Sequence, residues 1–405
     1  MQVYIGIDWS ECKHDIVFMN EAGGVVTRYA IDHNEVGFWQ IEQTRQQLDL
    51  KPNDCLVGIE TERNLLVEFF WQQGYERIYI IPPTVTKSSR GRHRSSRART
   101  DQSDAELLAD LVRTDRSRLL SWEPNHLLTR QITAKVSLVR FLTKEIVRMS
   151  NRLRTLLLCY YPVALKVFSR LSQAITLEFI RTFATPVAAD QLSFAEFCEF
   201  ARRHRYPNKA RLAACYARLH QPCAPASPEN ASIYQEEAQV ISELLLKLIR
   251  MKKQALKELV QLFHKHPDHS VFASLPGAGD QLAPALLAQF GDDRKRFPAA
   301  HNVQSLAGTC PVTVASGKRR VVRYRYACDR QFRAIAVQWA KASLKKSPWA
   351  NAYFEEALQR QIPVSQAYRC LANRLLAIAW KLWQTRQMYD EAYHLKQRNL
   401  HKKPR

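Results

Sequence analysis

The order in which strands and helices alternate over the first hundred or so residues limits the fold more than any other feature of this chain. VYIGID (3–8) reads as a buried strand. DIVFMN (15–20) meets VVTRYA (25–30) across Glu21-Ala-Gly-Gly24, and a glycine pair between two apolar runs marks a hairpin. Residues 35–48 place Val36, Phe38, Trp39, Ile41 and Leu48 at helical spacing. LVGIE (56–60) is a fourth strand and 63–73 a second helix. RIYII (77–81) is a fifth strand, stopped by Pro82-Pro83. Another helix begins near Ser103. The order is three meandering strands, helix, strand, helix, strand, helix.

That order matches a ribonuclease-H-like α/β plan, in which the first and fourth strands are neighbours and the closing helix packs across them. Asp8 ends the first strand, Glu60 ends the fourth, and Asp101 and Asp104 open the closing helix. Residues three apart share a helix face. Four carboxylates from these places would converge on a patch able to hold two Mg²⁺ ions, which prefer hard oxygen ligands and neutralise a phosphodiester. Glu62 shares strand parity with Glu60 and is the runner-up ligand. Local readings stand beside this one. Asp101 suits an N-cap, Asp104 the helix dipole, and Ser103-Asp-Ala-Glu106 a capping box.

From about residue 126 the chain turns to long helices. Residues 127–158 and 233–263 carry apolar residues at three- and four-residue steps, with many basic ones between, and are expected to pair as an antiparallel or intermolecular coiled coil. Residues 160–230 are mixed, helix-rich and punctuated by proline, and no chemistry is assigned to them. PCAPASPEN (222–230) reads as a loop or linker. The expected division is 1–125, 126–265, 266–390, and a basic, frayed tail over 391–405.

Lys and Arg total 60 against 38 Asp and Glu, a formal charge of +22 that favours polyanion partners. No apolar run of about eighteen residues and no amino-terminal signal pattern appears, so the expected protein is soluble, cytoplasmic and nucleoid-associated, without a membrane. The nine cysteines form no CxxC pair and read as reduced thiols.

KSSRGRHRSSRAR (87–99) holds Lys87, Arg90, Arg92, Arg94, Arg97 and Arg99 with no acidic residue, which suits a flexible loop along phosphates. A solvated charge run is the alternative. SLPGAGDQLAPALL resembles the second half of a helix–hairpin–helix, in which Gly277 and Gly279 let backbone amides approach a phosphate. A plain glycine turn reads as well. Ser316 precedes a glycine and is flanked by Lys318, Arg319, Arg320, Arg323 and Arg325, an exposed hydroxyl in a phosphate-attracting setting. No His or Lys is placed by the sequence to activate it.

Together the blocks YIGIDWS, GIETE, RTDQSDAELLADL, SLPGAGDQLAPALLAQFGD and SLAGTCPVTVASG resemble the DEDD transposases of bacterial insertion sequences, a group that includes Piv-type invertases and bridge-RNA-guided recombinases. The resemblance implies a RuvC-like catalytic domain, a coiled coil that forms a dimer or tetramer, and a mostly α transposase domain bearing a nucleophilic serine. Carried over by residue, the acidic tetrad is Asp8, Glu60, Asp101 and Asp104. The serine is Ser316, placed by the Ala-Gly-x-x-Pro block at 307–311. KRRVVRYRYACDRQFR follows it where many members have a Gly/Ser-rich run, and Ser305 is the second choice. The resemblance further implies a 5′-phosphoserine link, strand exchange between donor and target DNA, Mg²⁺, and a structured guide (bridge) RNA. The leading expectation is an RNA-guided recombinase. The runner-up is a RuvC-like junction nuclease using activated water, and the third is a non-catalytic nucleic-acid binder.

Overall fold

The computed structural model of the chain describes residues 2–61, 64–92, 101–119, 121–222, 227–317 and 319–401. They form two compact units, Met1–Pro124 and Asn125–Arg405.

The first unit is built on a five-stranded mixed sheet. Strands β1 (Val3–Trp9), β2 (Lys13–Met19) and β3 (Val25–Asp32) form an antiparallel meander, and β4 (Cys55–Ile59) and β5 (Ile78–Ile80) add in parallel, giving the order β3-β2-β1-β4-β5. Helices α1 (Glu35–Gln47) and α2 (Leu65–Gln72) cover one face, burying Phe38, Ile41, Leu66, Val67 and Phe70 against Val3, Ile5, Ile7 and Val57. Asn34 and Asn64 start these helices by accepting from the amides of Gly37 and Val67. The opposite face, with Tyr4, Met19 and Leu56, receives α4 (Asp101–Asp115) through Leu107, Leu108, Leu111 and Val112. Between them lies α3 (Pro83–Ser89), followed by a 3₁₀ turn over Arg90–Arg92. A loop along phosphates was expected from residue 87. Instead Pro83 occupies a first-turn helix position that its fixed φ favours, and Lys87 is helical.

In the second unit α5 (Leu127–Tyr160) and α11 (Pro228–His264) run antiparallel within the chain, paired at Lys135–Glu258 and, at 2.7 Å, Arg152–Glu237. These ion pairs face solvent, are screened by it, and contribute little to stability. The apolar stripes hold the helices together. Ile132, Val136, Val139, Leu142, Ala255, Leu259 and Phe263 join one core. Leu153, Leu156, Leu157, Ala238, Ile241 and Leu245 join another. The latter is completed by five short helices, α6 (Ala164–Val167), α7 (Ala174–Thr182), α8 (Pro186–Asp190), α9 (Phe194–Arg203) and α10 (Leu212–Leu219). Helix α11 begins at Pro228, so the stretch read as a linker ends in helix; residues 223–226 lie outside the described residues.

The first core continues through α12 (His269–Ala273), α13 (Gly279–Phe290), α14 (Ala300–Leu306), α15 (Arg330–Ser343), α16 (Pro348–Gln359) and α17 (Val364–Thr385), around Phe272, Phe290, Phe332, Trp339 and Trp383. A hairpin of β6 (Val312–Ser316) and β7 (Arg319–Arg323) interrupts it. Of the tail expected to fray, Glu391–His401 form α18, docked by an ion pair of Arg398 with Glu356 and by Tyr389 bonded to Glu391; residues 402–405 lie outside the described residues. No helix among the described residues is long and apolar enough to cross a membrane.

Candidate active site

Two glycines set the geometry of the acidic patch. Gly6 and Gly58 are partners in the parallel β1–β4 ladder, and both face α4. A Cβ on Gly6 would stand 1.9 Å from the Ala105 carbonyl oxygen, and one on Gly58 would stand 2.6 Å from Val112 Cγ2 and 2.9 Å from the Leu108 carbonyl oxygen. The helix backbone therefore lies directly on the two central strands. Side chains alternate along a strand, so Asp8 and Glu60, two residues beyond these glycines, leave on the α4 side. Ile7 and Ile59 are the last paired residues, and the two carboxylates follow them from adjacent strands. Helix α4 begins at Asp101, and Asp104 precedes the residue that touches Gly6. The close approach thus puts the helix start over the carboxyl ends of β1 and β4.

Asp104 is buried and receives a two-point ion pair from Arg90, Nε to Oδ1 at 3.2 Å and Nη2 to Oδ2 at 2.9 Å. Arg90, expected among the phosphate contacts, thus spends its guanidinium on a carboxylate of the patch. The bidentate fork suits that geometry. Asp8 and Glu60 are half-buried. The side chain of Asp101 and all of Glu62, Arg94, Arg97 and Arg99 lie outside the described residues, as does the side chain of Arg92. Among the described residues no three His, Cys, Asp or Glu side chains are gathered as a metal cluster. The donor chemistry available from Asp8, Glu60 and Asp104 still fits a hard divalent cation.

The sheet's other face carries a feature that sequence reading missed. His14 is fully buried beneath Trp9, accepts from the Ser10 amide at 3.3 Å, and meets His33 Nδ1 at 2.7 Å through Nε2. Burial, and then the His33 imidazole, lower its pKa to about 4, so it stays neutral and braces the turn after Asp8. A histidine opposite Trp9 in the hairpin register was the only available signal.

In the second unit Ser316 belongs to a strand. It ends β6, paired with Arg319, and Gly317 turns the chain at φ 56°. Ser316, Arg319, Arg320 and Arg323 are exposed; Lys318 lies outside the described residues. The Ser316 hydroxyl has no hydrogen-bond partner among the described residues. The root of the hairpin is anchored. Arg333 and Arg369 stack on Tyr324 at 4.6 and 4.5 Å, and Arg333 donates to the Arg325 carbonyl. Gly308, of the Ala-Gly-x-x-Pro block, adopts φ 62° where a Cβ would meet Cys328. Arg325, expected on the phosphate-facing surface, is half-buried at this root. Ser305 sits in α14 with its hydroxyl 3.2 Å from Cys310 Sγ, half-buried.

Gly277 and Gly279 both adopt left-handed backbone, φ 72° and 53°. A Cβ on Gly277 would stand 2.6 Å from the Ala342 backbone, and the Pro276 carbonyl accepts from Trp339. The close approach Gly277 permits is to protein, and only Gly279 faces open space. The hairpin signal at 312–323 was legible, since β-branched residues flank a Gly-X turn, but the arginines drew the reading toward charge.

An α/β unit with carboxylates at its strand ends, followed by a helical unit that presents an exposed serine among arginines, is an arrangement suited to phosphodiester chemistry. Residues 5–162 match a family profile of the DEDD type described as "Transposase", and residues 269–355 match the "Transposase IS116/IS110/IS902 family". The "Mini-circle putative transposase for IS117" of Streptomyces coelicolor is 28% identical over 403 residues, covering 96% of each chain. The "Insertion element IS110 uncharacterized 43.6 kDa protein" of the same organism is 26% identical over 303 residues, 72% of each. The chain is therefore an enzyme of the transposase class, acting on DNA. Within that class it belongs to the IS110 family of DEDD transposases.

Proposed function

We propose that the chain is an RNA-guided DNA recombinase of its insertion element, with a ribonuclease-H-like (RuvC-like) first unit and Ser316 as nucleophile. The observation that carries this reading is the exposed Ser316 hydroxyl, without a hydrogen-bond partner among the described residues, at the end of a hairpin flanked by Arg319 and Arg320. Its Oγ would bond to phosphorus as the bond to the 3′-oxygen breaks, leaving a 5′-phosphoserine; the serine proton is balanced by the one the 3′-hydroxyl gains. Arg319, Arg320 and Arg323 would hold the neighbouring phosphates. Asp8, Glu60, Asp101 and Asp104 would hold Mg²⁺, in this reading two ions. When bound, the metal supplies charge neutralisation at the phosphodiester. Arg90 neutralises Asp104 and so keeps a buried carboxylate tolerable.

The charge of +22 supports a second polyanion besides DNA, here the structured guide RNA that pairs with donor and target. A homo-oligomer, dimer or tetramer, is supported by large apolar side chains exposed on the long helices, among them Phe141, Val147 and Leu158 on α5 and Ile233, Val240 and Leu244 on α11.

The test incubates purified protein with its element-end DNA and Mg²⁺, then denatures. A covalent protein–DNA adduct that disappears in Ser316→Ala is the expected result. Strand cleavage that survives this change would remove the serine and favour hydrolysis by activated water. Cleavage that persists in an Asp101→Asn, Asp104→Asn double variant removes the acidic site. Sequencing of RNA that co-purifies with the protein tests the guide.

A further inference from the structure

The helices α6–α10 fall between the two matched family segments, which end at residue 162 and resume at residue 269. They enclose their own core, and the turn joining α9 to α10 is strongly basic. No acidic residue occurs between Glu199 and Glu229, whereas Arg202, Arg203, Arg205, Lys209 and Arg211 crowd the turn joining α9 to α10. Arg202 and Arg203 share Glu199, at 2.7 and 3.3 Å. Arg205, Lys209 and Arg211 are exposed, and none makes an ion pair among the described residues.

Basic residues after a helix end are commonly there for the helix dipole. Two observations go further. Arg205 adopts φ 52°, with the Tyr206 amide donating to the Ala201 carbonyl at 2.9 Å, a helix-ending position that glycine occupies at lower cost. An arginine is thus held in a conformation that disfavours it, with its side chain in solvent. The turn is also pinned. Tyr206 packs edge-on to Phe168 at 5.5 Å, its hydroxyl lies 3.9 Å from Cys215 Sγ, and a 3₁₀ turn fixes Lys209–Arg211. The exposed residues between the cations, Pro207, Asn208 and Ala210, offer no large apolar side chain to a protein partner.

We infer that this turn is a second DNA-binding surface, in which Arg205, Lys209 and Arg211 grip the phosphate backbone of duplex DNA and position it without reading sequence. The inference rests on DNA as the family's substrate and not on the serine chemistry.

The test is equilibrium binding of the full chain to a fluorescently labelled element-end duplex across a salt series, in EDTA so that no bond is cut. Each phosphate contact contributes about 0.9 to the slope of log K against log salt, so the triple variant R205Q/K209Q/R211Q should lose about 2.7 of that slope. Affinity near physiological salt should fall about tenfold or more. Arg205→Gly should lose about 0.9 of slope while melting no lower than wild type, because glycine suits the left-handed position. A wild-type slope in the triple variant overturns the inference. So does a loss seen with a structured RNA and not with the duplex. Failure of the phosphoserine reading would leave this binding result unchanged.

Discussion

Replacing Gly6 by alanine tests the geometry on which the acidic patch depends. The new Cβ would sit 1.9 Å from the Ala105 carbonyl oxygen and 2.5 Å from the Ala109 amide nitrogen, both helix backbone that no rotamer change can move. Recovering an ordinary contact of 3.4 Å requires α4 to retreat by about 1.5 Å from β1. Overpacking of this kind costs about 3 kcal/mol, at the upper end of its usual range. The retreat also carries Asp101 and Asp104 away from Asp8 and Glu60; if these four hold the metal as proposed, a misplacement of about 1 Å costs roughly 10²-fold in rate. Gly58→Ala gives a graded comparison. Its closest contact, 2.6 Å, is to the Val112 side chain, which can yield, and the backbone contact is 2.9 Å, so both effects should be smaller. Chemical denaturation and single-turnover cleavage of element-end DNA, at a temperature where all variants are folded, read the two quantities separately. Wild-type stability and rate in Gly6→Ala would refute the argument. Loss of stability with full activity would break the link between α4 placement and catalysis.

Three further outcomes follow from contacts already described. Arg90→Ala removes the two-point ion pair from the buried Asp104 carboxylate and should destabilise the first unit by about 1–3 kcal/mol, with Mg²⁺ recovering part of the loss in melting curves compared against EDTA. His14, lowered from 6.5 to about 4, favours the neutral folded form. Its contribution is complete above pH 6.5 and is lost as pH falls toward 4, up to about 3 kcal/mol; His14→Gln should flatten the stability–pH curve over that window. In the second unit burial pushes the Asp292 pKa up, but hydrogen bonds from His266, Thr129 and the His126 amide outweigh it and hold it low. Asp292→Ala should cost about 2–4 kcal/mol at neutral pH by stranding those donors, measured by thermal melting.

Much of this molecule is written locally. The hairpin at Glu21–Gly24, the buried runs of β1 and β4, and the stripes of α1, α5 and α11 all follow from periodicity, because a residue's burial in regular structure depends on the repeat of its own segment. The positions of Asp8 and Glu60 at strand ends followed from the same reading. Other features were hidden because two distant segments decide them. Nothing near residue 90 reveals that Arg90 pairs with Asp104, and nothing near residue 398 reveals Glu356.

The sequence by itself determined the element order, the amphipathic faces and the excess of positive charge, since each is a property of neighbouring residues. Tertiary structure decided how those faces were used. It paired α5 with α11 inside one chain, made Gly6 and Gly58 the seat of α4, turned Gly277 toward the backbone of α15, and left Ser316 exposed at the end of a hairpin. Close packing is the reason: which backbones touch at 3–4 Å is fixed by the shapes of both partners together, and no single segment carries that information.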